Sequence, residues 1–251
     1  MTAVFLHGGG DDPDARSIAF GRFAQAYLTN VRGPLLIVAA ADSEGEAQAT
    51  AGYYRDLFAG LNVPADWLVP VIADPERPLT AEQVAAYDPS GLFVCGGSTP
   101  LYHRSLCADR GWADYLRANA VPYGGTSAGA AIAADKAILG GWQTSEETPR
   151  QFLAAGAGEG LDALTVRPGA GLVPFAVDVH AGQAGTLTRL IHAVRGGQVN
   201  EGWAVDEDTL LAVHPTRIQI YGRGHAYRVV RAAEGRVTVR VFAAPDTYRL
   251  R

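Results

Sequence analysis

Leu35-Leu36-Ile37-Val38-Ala39-Ala40 is an unbroken apolar run. A strand with one wet face alternates polar and apolar residues, so a strand with no polar position must be covered on both faces, as the inner strands of a parallel sheet are. The signature returns at Leu92-Phe93-Val94-Cys95, and shorter apolar stretches at Ala3 to Leu6, Trp67 to Ile72 and Val121 to Tyr123 also read as strands. Between them lie helical patterns. Ser17 to Leu28 carries Ile18, Phe20, Phe23, Ala24 and Tyr27 at helical spacing, and Ser43 with Glu46 reads as a capping box opening a helix to about Gly60. Thr80 to Tyr87 reads as a short helix and Arg104 to Asn119 as a single longer one. This alternation predicts a doubly wound α/β fold, a mostly parallel sheet with helices on both faces. The 251 residues suit one domain, 1–251, whose final part, 210–251, is a β extension.

The most informative joint in that pattern is Val121-Pro122-Tyr123-Gly124-Gly125-Thr126-Ser127-Ala128-Gly129-Ala130-Ala131-Ile132. An apolar run ends in Gly-Thr-Ser-Ala-Gly and passes at once into an alanine-rich helix, the setting of a nucleophile elbow. Gly125 and Gly129 flank Ser127 at i−2 and i+2, where a Cβ would collide with the adjoining strand or helix. The serine hydroxyl would stand at the carboxyl end of its strand, with the Ala128 N–H beside it to stabilise an oxyanion. An ordinary Gly-rich strand-to-helix turn carries the same residues.

Ligand sites of such sheets lie beyond the carboxyl ends of the strands. Three Gly-rich loops are expected to converge there: His7 to Gly10, Gly96 to Thr99, and the elbow. The first lacks the spacing of a dinucleotide or phosphate loop. In the second, Gly96, Ser98 and Thr99 are candidates for touching substrate, and the Gly97 N–H is the candidate second oxyanion donor; a tight turn capping a helix is the plainer reading. Serine needs a base, and the chain offers His7, His103, His180, His192, His214 and His225. His180 stands out because Val173 to Val179 reads as a strand and Ala181 to Gly185 as a loop, placing the imidazole on the rim. His7, also near a strand end, stays in contention. For the acid that orients the imidazole, Asp178 shares a strand face with His180, and the turn Asp206-Glu207-Asp208 supplies three further carboxylates.

These residues carry a family resemblance. Gly124 to Ala130 resembles the nucleophile motif of the peptidase E/cyanophycinase family of serine peptidases, and Val94 to Thr99 is similar to that family's Gly-rich loop. The stretch from Gly171 through His180 to Gln183 and Leu190 resembles the segment bearing the catalytic histidine, and Ala204 to Thr209 the segment bearing the acid. Tyr221 to Tyr227 resembles the closing hairpin. The resemblance implies a fold similar to class I glutamine amidotransferase domains and a Ser127, His180, Glu207 triad working without metal or cofactor. Ala184 and Thr186 stand where the pattern has substrate-binding arginines, and only Arg189 is retained. The implied activity is therefore hydrolysis of a peptide or amide bond in a small peptide without those arginines, with Gln183 a further substrate-binding candidate. The 140–172 insert, with loop-like Gln143 to Thr148 and Ala154 to Gly158, is expected to lie over the site.

Charge and composition set outer limits. A formal net charge of −5 with scattered Arg and Lys argues against nucleic acid as a partner. The N-terminus reads as neither signal peptide nor membrane span, so a cytoplasmic protein is expected. Cys95 and Cys107 suggest neither a disulfide framework nor a metal site. A homodimer is compatible with all of this. Two rival functions stand beside the peptidase: a non-catalytic metabolite-binding protein on the same fold, and an esterase or acyl transferase using the same triad. Serine at the elbow disfavours a cysteine-dependent amidotransferase.

Overall fold

The computed structural model describes residues 2–29, 31–145 and 147–250; Glu146, within the loop expected at 143–148, lies outside them. In chain order the first half comprises β1 (Val4–His7), α1 (Pro13–Thr29), β2 (Leu35–Ala39), α2 (Glu44–Gly60), β3 (Leu68–Ile72), α3 (Ala81–Tyr87), β4 (Gly91–Val94), α4 (Thr99–Leu106), α5 (Gly111–Ala118), β5 (Tyr123–Thr126) and α6 (Ala128–Ile132). The second half comprises β6 (Lys136–Gly140), β7 (Thr165–Pro168), β8 (Ala176–Val179), α7 (Leu187–Arg195), β9 (Glu201–Val205), β10 (Thr209–His214), β11 (Arg217–Gly222), β12 (His225–Arg231), β13 (Val237–Ala243) and β14 (Thr247–Arg249).

The main sheet runs β14-β11-β10-β1-β5-β4-β2-β3. Its β1-β5-β4-β2-β3 half is parallel throughout, and β10, β11 and β14 extend it with antiparallel pairing. Every residue of β2 is buried, as its unbroken apolar run requires. Neighbouring residues of β5 point to opposite layers. A Cβ on Gly124 would meet Phe23 and Phe93, whereas the Tyr123 ring stacks with Trp112 of α5 at 6.0 Å. Phe23 of α1 and Phe58 of α2 share the first layer with Phe93, so helices cover both faces. A second sheet, β13-β12-β9-β8, contains the parallel pair β8-β9, and β6-β7 form a separate antiparallel pair.

Several local expectations are corrected. The helix expected over 104–119 is two helices, α4 and α5: Cys107 closes the first, and Asp109 Oδ1 accepts from the Gly111 N–H at 2.7 Å to begin the second. An Asp two residues before a backbone N–H offers the chain a turn in place of a continued helix. α1 starts at Pro13, earlier than the apolar spacing suggested, because proline suits a first helical turn whatever its hydrophobicity. The C-terminal strands are antiparallel as expected, but Tyr221 to Tyr227 is not itself a hairpin. There the chain leaves β11 in the main sheet and enters β12 in the second, and the hairpins are β10-β11 and β12-β13. The 140–172 insert holds β7 and a 3-10 turn at Ala155–Ala157 as well as loop. Among the described residues no helix is long and apolar enough to cross a membrane.

Candidate active site

The strand order explains why three loops distant in sequence meet. β5 lies between β1 and β4, all parallel, so the His7 loop, the elbow and the Gly96 loop leave the same edge side by side. The second sheet repeats the device. Val179 at the end of β8 pairs in parallel register with Val205 at the end of β9, so His180 and the 206–208 turn emerge as neighbours. A hydrogen bond from the His180 N–H to the Gly8 carbonyl, 2.9 Å, joins the two edges.

At the elbow Ser127 has φ 49° and ψ −115°, a sparsely populated conformation that costs about 1–3 kcal/mol. The turn is held from both sides. The Ser127 N–H donates to the His7 carbonyl at 3.0 Å, and the Ser127 carbonyl accepts from Ala130 and Ala131 at 2.9 and 3.0 Å. A Cβ on Gly125 would strike the Gly129 carbonyl, and one on Gly129 would strike the Val94 carbonyl. Both glycines are therefore demanded by close backbone approach, as their spacing about Ser127 suggested.

Ser127 Oγ lies 2.9 Å from His180 Nε2, and His180 Nδ1 lies 2.8 Å from Glu207 Oε1. With the proton on Nδ1 shared with the carboxylate, Nε2 is free to accept from the hydroxyl, the order needed to pass a proton from serine to imidazole. His180 takes φ 57°, which turns its side chain off the alternation of β8. Its ring rests on the Gly8-Gly9-Gly10 loop: a Cβ on Gly9 would overlap the imidazole, and one on Gly10 would press on Glu207 and Asp208. That loop is thus the floor beneath the imidazole and its acid.

The three acids of the 206–208 turn divide the work. Glu207 meets the imidazole. Buried Asp206 accepts from the Gly182 and His225 N–H groups at 2.8 and 2.9 Å, tying the loop after His180 to its neighbour. Asp208 Oδ1 accepts from the Asp12 N–H at 3.1 Å and fastens the glycine loop. Asp178 does not share a usable face with His180. Its carboxylate takes both Arg189 Nε and Nη2, at 2.9 and 2.6 Å, in a buried fork-to-fork pair, and Arg189 Nη1 also holds the Ala157 carbonyl.

His7 is excluded as base by its surroundings. It is buried, Nδ1 lies 3.0 Å from Thr126 Oγ1, and the Phe20 ring packs against it, tilted, at 4.3 Å. Burial, with the nearby His180 adding to it, pushes its pKa down to about 3, so it stays neutral. His103 Nε2 donates to the Pro168 carbonyl, 2.9 Å away, and His192 stacks on Phe152, both away from Ser127's partners.

Gly96 lies against Ser127, a Cβ there falling 3.2 Å from Ser127 Cβ. Among the described residues neither the Gly97 nor the Ala128 N–H donates to a protein acceptor. Ser98 is exposed at the same rim. Two substrate-binding candidates are already engaged within the protein: Thr99 is buried, its N–H donating to Glu159 Oε2 at 3.2 Å, and Gln183 Oε1 accepts from the Glu207 N–H at 3.0 Å. Glu159 gave no signal in the sequence, because its partner lies 60 positions away.

No protein-family model matches the chain. No curated protein matches it in sequence either. Solved structures do. The chain is similar to a peptidase from an acI-B1 Actinobacterium at a TM-score of 0.64 and 15% identity, covering 100% of this chain and 97% of that one. It is also similar to a peptidase E candidate from Listeria monocytogenes EGD-e at a TM-score of 0.53 and 14% identity, covering 89% of this chain and 100% of that one. At such identities the likeness is one of fold, and the fold of this chain is that of peptidase E-like proteins.

Proposed function

We propose that the protein is a serine peptidase that hydrolyses a peptide or amide bond of a small peptide through Ser127, His180 and Glu207. The observation that carries this reading is the continuous hydrogen-bonded chain from Ser127 Oγ through both imidazole nitrogens to Glu207 Oε1, built on a strained strand-to-helix turn. The fold shared with peptidases adds to it.

In this mechanism His180 Nε2 takes the Ser127 proton as Oγ attacks the scissile carbonyl, and Glu207 stabilises the imidazolium. The N–H groups of Ala128 and Gly97 hold the oxyanion. His180 then gives its proton to the leaving amine as the carbonyl re-forms, leaving an acyl-enzyme. Water, deprotonated by the same imidazole, releases the acid and restores the serine. Arg189 is committed to Asp178, so no guanidinium from that position is free to select an acidic side chain. Discrimination toward aspartyl substrates is accordingly expected to be weak.

A fluorophosphonate probe should label the wild type and leave Ser127→Ala untouched, read by intact-mass spectrometry. Equal labelling of the two proteins would remove Ser127 from the mechanism. A short-peptide library read by mass spectrometry then identifies the substrate.

A further inference from the structure

The Gly97 N–H and the Gly96 carbonyl belong to one peptide unit, and in a trans peptide they point in opposite directions. Whatever grips the Gly96 carbonyl therefore aims the Gly97 N–H. Tyr102, one turn into α4 and fully buried, donates its hydroxyl to that carbonyl at 2.9 Å. Burial raises the Tyr102 pKa well above the usual phenol range, so the hydroxyl keeps its proton and remains a donor. The Tyr102 N–H also donates to the Ser98 carbonyl at 3.0 Å, so one residue holds the loop at two points. A Cβ on Gly97 would fall 2.7 Å from the Tyr102 ring, so the ring supports the peptide from behind.

The far end of the loop is clamped from the insert. Glu159 Oε2 accepts from the Thr99 N–H at 3.2 Å, and Glu159 Oε1 lies 3.4 Å from Thr99 Oγ1. Ser98, at the N-cap position of α4, makes no side-chain cap bond, so Glu159 supplies that acceptor from 60 residues away. The turn that carries Glu159 is itself held by Arg189 Nη1 at the Ala157 carbonyl, and Arg189 is locked by Asp178.

We infer that Tyr102 is a positioning residue for the oxyanion hole, orienting the Gly97 N–H through the Gly96 carbonyl, with Glu159 of the insert fixing the other end of the same loop. This rests on the Ser127 reading above. It gives the 140–172 insert a part in transition-state stabilisation, and it places both residues outside direct contact with substrate.

The test measures the rate of fluorophosphonate labelling and, once a substrate is known, kcat and KM separately, for wild type, Tyr102→Phe, Glu159→Ala and Glu159→Gln. Tyr102→Phe removes one oxygen and is expected to slow labelling and kcat by about 10- to 100-fold with KM nearly unchanged, since a misaimed oxyanion donor acts only when the negative charge forms. Glu159→Ala should slow labelling several-fold. Glu159→Gln keeps an acceptor oxygen and should restore most of the rate, which a merely structural loss of charge would not predict. A folded Tyr102→Phe protein that labels at the wild-type rate overturns the inference while leaving the Ser127 reading intact. Should Tyr102→Phe not fold, equal rates for Glu159→Ala and wild type overturn it instead. A wild type that no probe labels overturns both.

Discussion

Two pairs of opposite character leave the end of β8 only two residues apart. Asp178 with Arg189 is sealed, its side chains 2% and 5% exposed, whereas His180 with Glu207 stands at the rim at 28% and 34%. Each pair is held by a short contact, yet the two differ in their access to solvent. In the sealed pair the guanidinium satisfies both carboxylate oxygens, and removing either partner strands a buried charge. In the rim pair the carboxylate uses one oxygen on the imidazole, whose second nitrogen faces the serine. Burial thus marks the pair that holds the second sheet to the insert, and partial exposure marks the pair that reaches Ser127. The positive φ of His180 separates them, because on a regular strand residues 178 and 180 would face the same way.

The comparison can be broken most directly at Glu207. Glu207→Ala should lower kcat/KM by about 10⁴-fold while the protein melts close to the wild type; a loss below about tenfold would mean another group orients the imidazole. Asp178→Ala should do the reverse, costing about 3–5 kcal/mol of stability in urea unfolding. An Asp178→Ala protein as stable as the wild type would show that the buried pair is dispensable.

His7 sharpens the contrast between buried and accessible imidazoles. Its folded pKa of about 3 lies below the unfolded value near 6.5, so the unfolded chain binds more protons between those limits. Its contribution to stability is present above about pH 6.5 and is lost as pH falls toward 3. Unfolding free energies of His7→Asn between pH 7 and pH 4.5 should fall less steeply than those of the wild type, by about 1 kcal/mol per pH unit. Parallel curves would refute the buried neutral state. The smallest effect belongs to Gln183. Its exposed amide supports the Glu207 N–H, so Gln183→Ala should cost under about 1 kcal/mol and change kcat a few-fold. A large rise in KM alone would instead return Gln183 to the substrate.

Where the sequence was legible, the reason was local. An apolar run such as Leu35 to Ala39 needs only its own residues to declare itself covered on both faces, and the glycines about Ser127 declare a crowded turn. Ser43 accepts the Glu46 N–H, one half of the capping box expected there, whereas the full box of Thr80 with Gln83 was not singled out from the sequence. The break at Cys107 was missed because the apolar spacing of Arg104 to Asn119 hides the Asp109 turn, which wins by offering the backbone a nearer acceptor. Among the acids of 206–208, nothing in composition or spacing tells Glu207 from its neighbours. Only the family pattern singled it out.

The residues alone determined that the chain alternates covered strands with helices, that Ser127 ends one of those strands in a strained turn, and that His180 ends another. Beyond what the family pattern implied, it took the tertiary structure to bring one imidazole to the serine and one carboxylate to that imidazole, and to engage Arg189 and Thr99 elsewhere. The physical reason is distance along the chain. Secondary structure is set by neighbours a few residues apart, whereas Ser127 and His180 are separated by 53 positions and His180 and Glu207 by 27. Those groups are joined only when β5 settles between β1 and β4, and β8 pairs with β9, so that two sheets present their carboxyl edges to each other.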